Sequence, residues 1–64
     1  MTFTLTIKTN GAAFDNDGDG DLHGEVHNIL MEAAERIVDG ATSVALVDIN
    51  GNLVGRAEFK EDDR

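Results

Sequence analysis

Residues 43–49 (Ser-Val-Ala-Leu-Val-Asp-Ile) and 53–59 (Leu-Val-Gly-Arg-Ala-Glu-Phe) flank Asn50-Gly51-Asn52. Two β-prone runs joined through Asn-Gly form a β-hairpin, because that dipeptide accepts the positive φ angles of a tight turn. This is the strongest local constraint in the chain, and it leaves two registers open. A two-residue Asn50-Gly51 turn puts Val44, Leu46, Leu53, Ala57 and Phe59 on one face. A three-residue loop, with a type I turn from Asp48 and Gly51 in the bulge, groups Ala45, Val47, Leu53, Ala57 and Phe59 instead. A slip of one residue inverts a strand's faces. The first register gathers more apolar volume beside Phe59 and is the expected one. It leaves Ala45, Val47, Ile49 and Val54 on the opposite face.

The rest of the chain supplies one more strand and one helix. In residues 2–9, Phe3, Leu5 and Ile7 alternate with Thr2, Thr4, Thr6 and Lys8. That is a strand with one wet face. Asn10-Gly11 turns the chain, and Ala12-Ala13-Phe14 either returns as a strand stub or plugs the core edge with Phe14. Residues 15–21, Asp-Asn-Asp-Gly-Asp-Gly-Asp, hold nothing to bury and repel one another, so they form an exposed acidic loop. A helix starts near Leu22 with Asp19 or Asp21 as N-cap, because a short side-chain oxygen satisfies the free N–H groups there. Its apolar stripe is Leu22, Val26, Ile29, Leu30, Ala33 and Ile37, and Asp39-Gly40 ends it. Residues 60–64, Lys-Glu-Asp-Asp-Arg, are expected to be a flexible tail. The order β-α-β-β predicts an α+β fold: a small three-stranded, mainly antiparallel sheet with one helix packed on one face. Placing the third strand in the middle gives the order 1-3-2. Residues 1–64 make a single domain.

Composition narrows the function. Without cysteine, no disulfide or thiolate chemistry is available. Thirteen acidic residues against five basic ones give a formal net charge of -8. Such a field repels phosphate backbones and anionic membranes, and attracts basic surfaces or cations. No apolar run approaches the roughly 20 residues of a membrane span, so a cytoplasmic protein is expected. With few large apolar side chains, little is left to build a deep catalytic pocket. No serine or cysteine nucleophile has a base beside it, so an enzyme is not expected.

Three features carry candidate chemistry. Asp15-x-Asp17-x-Asp19-Gly20 matches the opening of an EF-hand calcium loop, where alternate carboxylates supply hard oxygen ligands. The bidentate Glu of position twelve is replaced by Val26, and no entering helix precedes the loop. Asp15, Asp17 and Asp19 therefore make at best a weak, millimolar calcium site, and a solvated loop that caps the helix is the simpler account. His23 and His27, one helical turn apart, could chelate a transition metal, but two exposed histidines near a helix start need no ligand. The third feature is a polar stripe. Glu25, Asn28, Glu32, Glu35 and Asp39 recur at spacings of 3 and 4, and run about 21 Å along one helix face. Asp15, Asp17, Asp19 and Asp21 extend it at the N-terminal end. A rod of carboxylates can imitate part of the outline of a nucleic acid, which carries one charge per roughly 1.7 Å in duplex form. It can equally be a solvated face that keeps a small protein soluble.

The opening Thr2-Phe-Thr-Leu-Thr-Ile-Lys-Thr-Asn-Gly-Ala-Ala-Phe14, the helix end Glu35-Arg-Ile-Val-Asp-Gly40 and the hairpin Asp48-Ile-Asn-Gly-Asn-Leu-Val-Gly55 resemble small uncharacterised proteins of actinobacteria, their phages and mobile elements. The aspartate loop looks like an insertion in that pattern. The shared motifs are turns and strands, so the resemblance transfers no catalytic residue. It implies a genomic context in which small acidic proteins are similar in character to anti-CRISPR and anti-restriction inhibitors, some of them DNA mimics.

The expectation is a non-enzymatic phage-type inhibitor that binds a basic, nucleic-acid-binding surface of a host defence complex. The partner-binding residues are then Asp15, Asp17, Asp19, Asp21, Glu25, Glu32, Glu35 and Asp39. The alternatives are a calcium-binding module built on the aspartate loop and a structural protein. No cofactor is expected beyond that weak calcium site. An open apolar sheet face opposed by net repulsion predicts a monomer or weak homodimer.

Overall fold

A computed structural model describes residues 1–18 and 20–62. The elements are β1 (Thr2–Ile7), a single 3-10 turn (Ala12–Phe14), α1 (Leu22–Val38), β2 (Ser43–Val47) and β3 (Leu53–Lys60). The sheet order is β1-β3-β2, with both neighbouring pairs antiparallel. One helix and this three-stranded antiparallel sheet make the small α+β fold that the sequence predicts.

α1 begins where Asp21 caps it: the Asp21 carboxylate accepts the Gly24 N–H at 3.1 Å. The Leu22 N–H donates to Asn16 Oδ1 at 2.8 Å, so the acidic loop closes the same helix end. The helix stops at Asp39, followed by Gly40 with φ of 104°. Its buried side chains meet Val44 and Leu46 of β2 and Val54 and Ala57 of β3. Phe14, 3% exposed, plugs the open end of this layer from the 3-10 turn. Leu30, placed on the apolar stripe by its spacing, is 42% exposed.

The hairpin departs from the expected register. Asp48 N donates to Asn52 O at 3.0 Å and Gly51 N to Asp48 O at 2.9 Å, which is a three-residue loop with Gly51 at φ 85°. Alone, that loop would turn Val44 and Leu46 outward. A second irregularity reverses the inversion: Leu46 pairs with Gly55 and Val47 with Leu53, so Val54 is the extra residue of a bulge. Val54 turns into the core, and Leu53 is 67% exposed beside Val47. The expected inward Leu53 and outward Val54 are thus exchanged, while Val44, Leu46 and Ala57 face the helix as expected. Gly55 is required beside the bulge, because a Cβ there would overlap the Thr6 carbonyl oxygen of β1. Phe59, also expected in the core, is half-exposed and packs at a tilt against Phe3, with ring centroids 4.9 Å apart. The bulge makes a direct prediction: Val54→Ala costs about 2 kcal/mol and Leu53→Ala under about 0.5 kcal/mol in denaturant melts.

The sequence also places residues 60–64 in a flexible tail. Lys60 instead closes β3, and the Asp62 carboxylate holds the Met1 amine and the Thr2 hydroxyl, each at 2.6 Å. Residues 63 and 64 lie outside the described residues.

Candidate functional site

The helix side carries an excess of acid, while the open sheet face mixes both signs. On the helix side, Glu32, Glu35 and Asp39 are exposed along α1, and Asp15, Asp17 and Asp21 are exposed around its N-terminus. Arg36 is the helix cation, and its guanidinium lies 3.4 Å from Glu32. On the open sheet face, Thr4 and Ser43 flank Glu58, and Thr6 and Ala45 flank Arg56. Arg56 donates to the Ser43 hydroxyl at 3.1 Å, and Lys60 lies 3.8 Å from Glu58. Lys8, Leu53 and Arg56 border one shallow hollow there. The acidic stripe expected from the sequence therefore exists in part, with most of the basic side chains on the opposite face.

Glu25 leaves that stripe. It is 8% exposed, and its Oε2 accepts the Ile49 N–H at 2.8 Å. The cause is the hairpin loop, which leaves the Ile49 amide without a ladder partner. The Glu25 side chain reaches across from the helix and accepts that N–H in place of a backbone carbonyl. The exposed stripe then shortens to Glu32, Glu35 and Asp39, about 10 Å, with Asn28 separating it from the acids at the N-terminal end.

Asp48 organises the loop from inside and is 5% exposed. Its Oδ1 accepts the backbone N–H groups of Asn50 and Asn52, both at 2.9 Å, and its Oδ2 accepts the Asn52 side-chain amide at 3.3 Å. The Asn52 backbone N–H does most to hold the carboxyl below the ordinary 3.8; burial opposes it, and the Asn52 amide and the Asn50 and Gly51 N–H groups reinforce it. A depressed folded pKa stabilises the fold above the unfolded value and withdraws that stabilisation as pH falls through the folded one. Melting temperature should therefore fall with acidification below about pH 4. Asp48→Asn should start lower at neutral pH and lose less over that interval, a comparison readable in thermal melts. Asp62, held low by the Met1 amine and then by Thr2, titrates in both proteins and cancels.

Between α1 and the loop lies a notch of about 170 Å³ lined by Glu25, Asn28, Ile29, Glu32, Val47, Asp48 and Ile49. It opens beside a broader hollow that shares Glu25, Asn28 and Ile49 and reaches Asp21 and Gly20. Of the acids in residues 15–21, Asp15 and Asp21 hold local structure with their carboxylates. Asp15 Oδ1 accepts the Asp17 N–H at 3.0 Å, and the Asp15 carbonyl accepts the N–H groups of Gly18 and Gly20. Asp19 lies outside the described residues. Among the described residues, no three His, Cys, Asp or Glu side chains stand close enough to hold a metal ion, and His23 and His27 are both exposed. Nor is any helix among them long and apolar enough to cross a membrane.

Of the sequence candidates, the fold brings Asp21, Glu25 and Glu32 to one side of α1 along this groove, with Glu35 and Asp39 further along. Sequence reasoning missed Asp48, Val47 and Ile49 as walls of the notch. The signal for Asp48 was available: an aspartate opening an Asp-x-Asn-Gly-Asn loop is placed to receive the loop's own N–H groups. No protein-family model, no curated protein and no solved structure matches the chain.

Proposed function

We propose that the chain is a non-enzymatic acidic docking protein whose helix side occupies a basic, nucleic-acid-binding surface of a partner protein. The observation that carries this reading is the one-sided excess of acid. Glu32, Glu35, Asp39 and Asp21 share one side of α1 with Arg36 as the cation among them, while on the sheet side Glu58 lies among Lys8, Arg56 and Lys60 and offsets part of their charge. A solvated surface needs only interspersed charge; a one-sided field steers a basic partner to one face. The resemblance to small actinobacterial and phage proteins names the class of partner proposed: a host defence complex that handles nucleic acid, such as a CRISPR effector, in the host cytoplasm. The experiment is capture on the immobilised protein from nuclease-treated host lysate at low ionic strength, followed by a salt gradient. Electrostatic docking predicts that the bound protein elutes early in the gradient, because screening weakens exposed charge pairs. Retention through molar salt would assign the contact to the apolar residues instead.

A further inference from the structure

β1 is one of the two edges of the sheet, and nothing in it blunts that edge: Thr2–Ile7 holds no charge, proline or bulge. The Lys8 N–H donates to the Val54 carbonyl of β3 at 2.8 Å. Strand N–H groups alternate sides, so Thr2, Thr4 and Thr6 share the side that bonds β3. The N–H and C=O groups of Phe3, Leu5 and Ile7 therefore point outward along the free edge. The side chains of those three residues share the helix-facing side of the sheet with Ala57, yet α1 covers them only in part. The helix packs chiefly on β2 and the 3-10 turn. Leu5 and Ile7 are partly buried, and Phe3 and its neighbour Phe59 are 42% and 39% exposed.

We infer that β1 pairs antiparallel with β1 of a second copy of this chain, about a two-fold axis at Leu5, joining two three-stranded sheets into one of six strands. The hydrogen-bonded pairs of such a seam must come from Phe3, Leu5 and Ile7, and directly opposed residues must share a face. The two longest overlaps that meet both conditions put the axis at Leu5 or at Thr4, and charge decides between them. With the axis at Leu5, Phe3 opposes Ile7 of the second copy, and Lys8 opposes its Thr2. The Thr2 hydroxyl donates to Asp62 Oδ1 at 2.6 Å, so Lys8 gains the Asp62 carboxylate of the other copy, twice over by symmetry. Within one chain Lys8 makes no ion pair among the described residues. With the axis at Thr4, Lys8 would overhang the strand end and meet no residue. The net charge of -8 opposes this seam only weakly. Glu25 reaches the hairpin loop, so the acidic flank of α1 lies toward the β2 edge. Five strand spacings, about 24 Å, then separate the two acidic flanks, against a screening length of about 8 Å at physiological ionic strength. The inference is independent of the docking function, because it leaves the acidic flank uncovered.

The test is sedimentation equilibrium of the full chain up to about 1 mM, which should show a monomer–dimer equilibrium. At concentrations where the dimer forms, the Phe3, Leu5 and Ile7 amides should exchange with solvent more slowly than in dilute protein. Lys8→Glu should weaken dimerisation about tenfold by setting carboxylates against each other, and Asp62→Lys should do the same with cations. An equimolar mixture of the two variants restores both opposite-charge pairs across one heterodimer, and should associate about as tightly as the unaltered protein. Asp62→Lys also releases Met1 and Thr2, so circular dichroism is recorded first; if that variant unfolds, Lys8→Glu and amide exchange decide. A monomer at every concentration would overturn the inference. So would a dimer in which those three amides still exchange freely and Lys8→Glu has no effect, the pattern expected of association through Val47, Ile49 and Leu53. With both variants folded, a mixture that restores no association would overturn it as well.

Discussion

Leu46→Ala should lower the melting temperature by roughly 15–25 °C and leave a large unfolded fraction at room temperature. Leu46 is 3% exposed and sits where β2 meets both the helix and the bulge of β3. Truncating a buried leucine costs about 2–5 kcal/mol, the transfer of the lost atoms plus the cavity they leave. A chain of this length has a total stability of only about 3–10 kcal/mol. The core cannot relax into the gap, because its other large members, Phe14 and Ile29, are fixed by the 3-10 turn and by the helix. Gly55→Val should be as damaging for a different reason: its side chain would displace β1 at Thr6, separating the two strands that form the longest pairing in the sheet. Thermal melts followed by far-ultraviolet circular dichroism check both.

Glu32→Lys combined with Glu35→Lys should leave the fold intact and weaken partner binding by on the order of a hundredfold. Both side chains are exposed, and lysine is as good a helix former as glutamate. The one interaction lost is the Glu32–Arg36 contact at 3.4 Å, between groups each 58% exposed, which contributes under about 0.5 kcal/mol. The effect on binding is large because reversal replaces attraction with repulsion at the centre of the field, slowing encounter as well as weakening the bound state. Reversing Asp62 should instead disturb the Met1 and Thr2 contacts, and so act on the fold edge before it acts on any partner.

What the sequence discloses here is whatever depends on local pattern. The Thr-Phe-Thr-Leu-Thr-Ile alternation specifies β1, Asp21 and Gly40 bound the helix, and the apolar residues available to a 1-3-2 sheet leave few alternatives. The hairpin is different. Its loop type follows from Asp48, Asn50 and Gly51, but the compensating bulge at Val54 answers to β1, since Gly55 must pass close to Thr6. No window around residue 54 contains that information. Glu25 fails for the same reason. Its spacing puts it with Asn28 and Glu32, and only the amide of Ile49, 24 residues away, draws it inward. The candidate site was therefore half legible: the exposed acids could be listed from helical period, whereas the notch depends on a helix-to-loop contact that no periodicity encodes. The order of Lys60 to Asp62 likewise depends on the far end of the chain, through Met1 and Thr2.

On the proposed function, the helix side takes the place of nucleic acid on a basic surface. The measurement that addresses it most directly is competition. A partner captured by the wild-type protein is purified, and its affinity for the protein is measured with and without a saturating oligonucleotide that the partner itself binds. Binding should be mutually exclusive, with apparent affinity falling in proportion to the oligonucleotide present, and the Glu32→Lys, Glu35→Lys protein should not capture the same partner. Simultaneous binding of oligonucleotide and protein, or undiminished affinity for the charge-reversed protein, would contradict it.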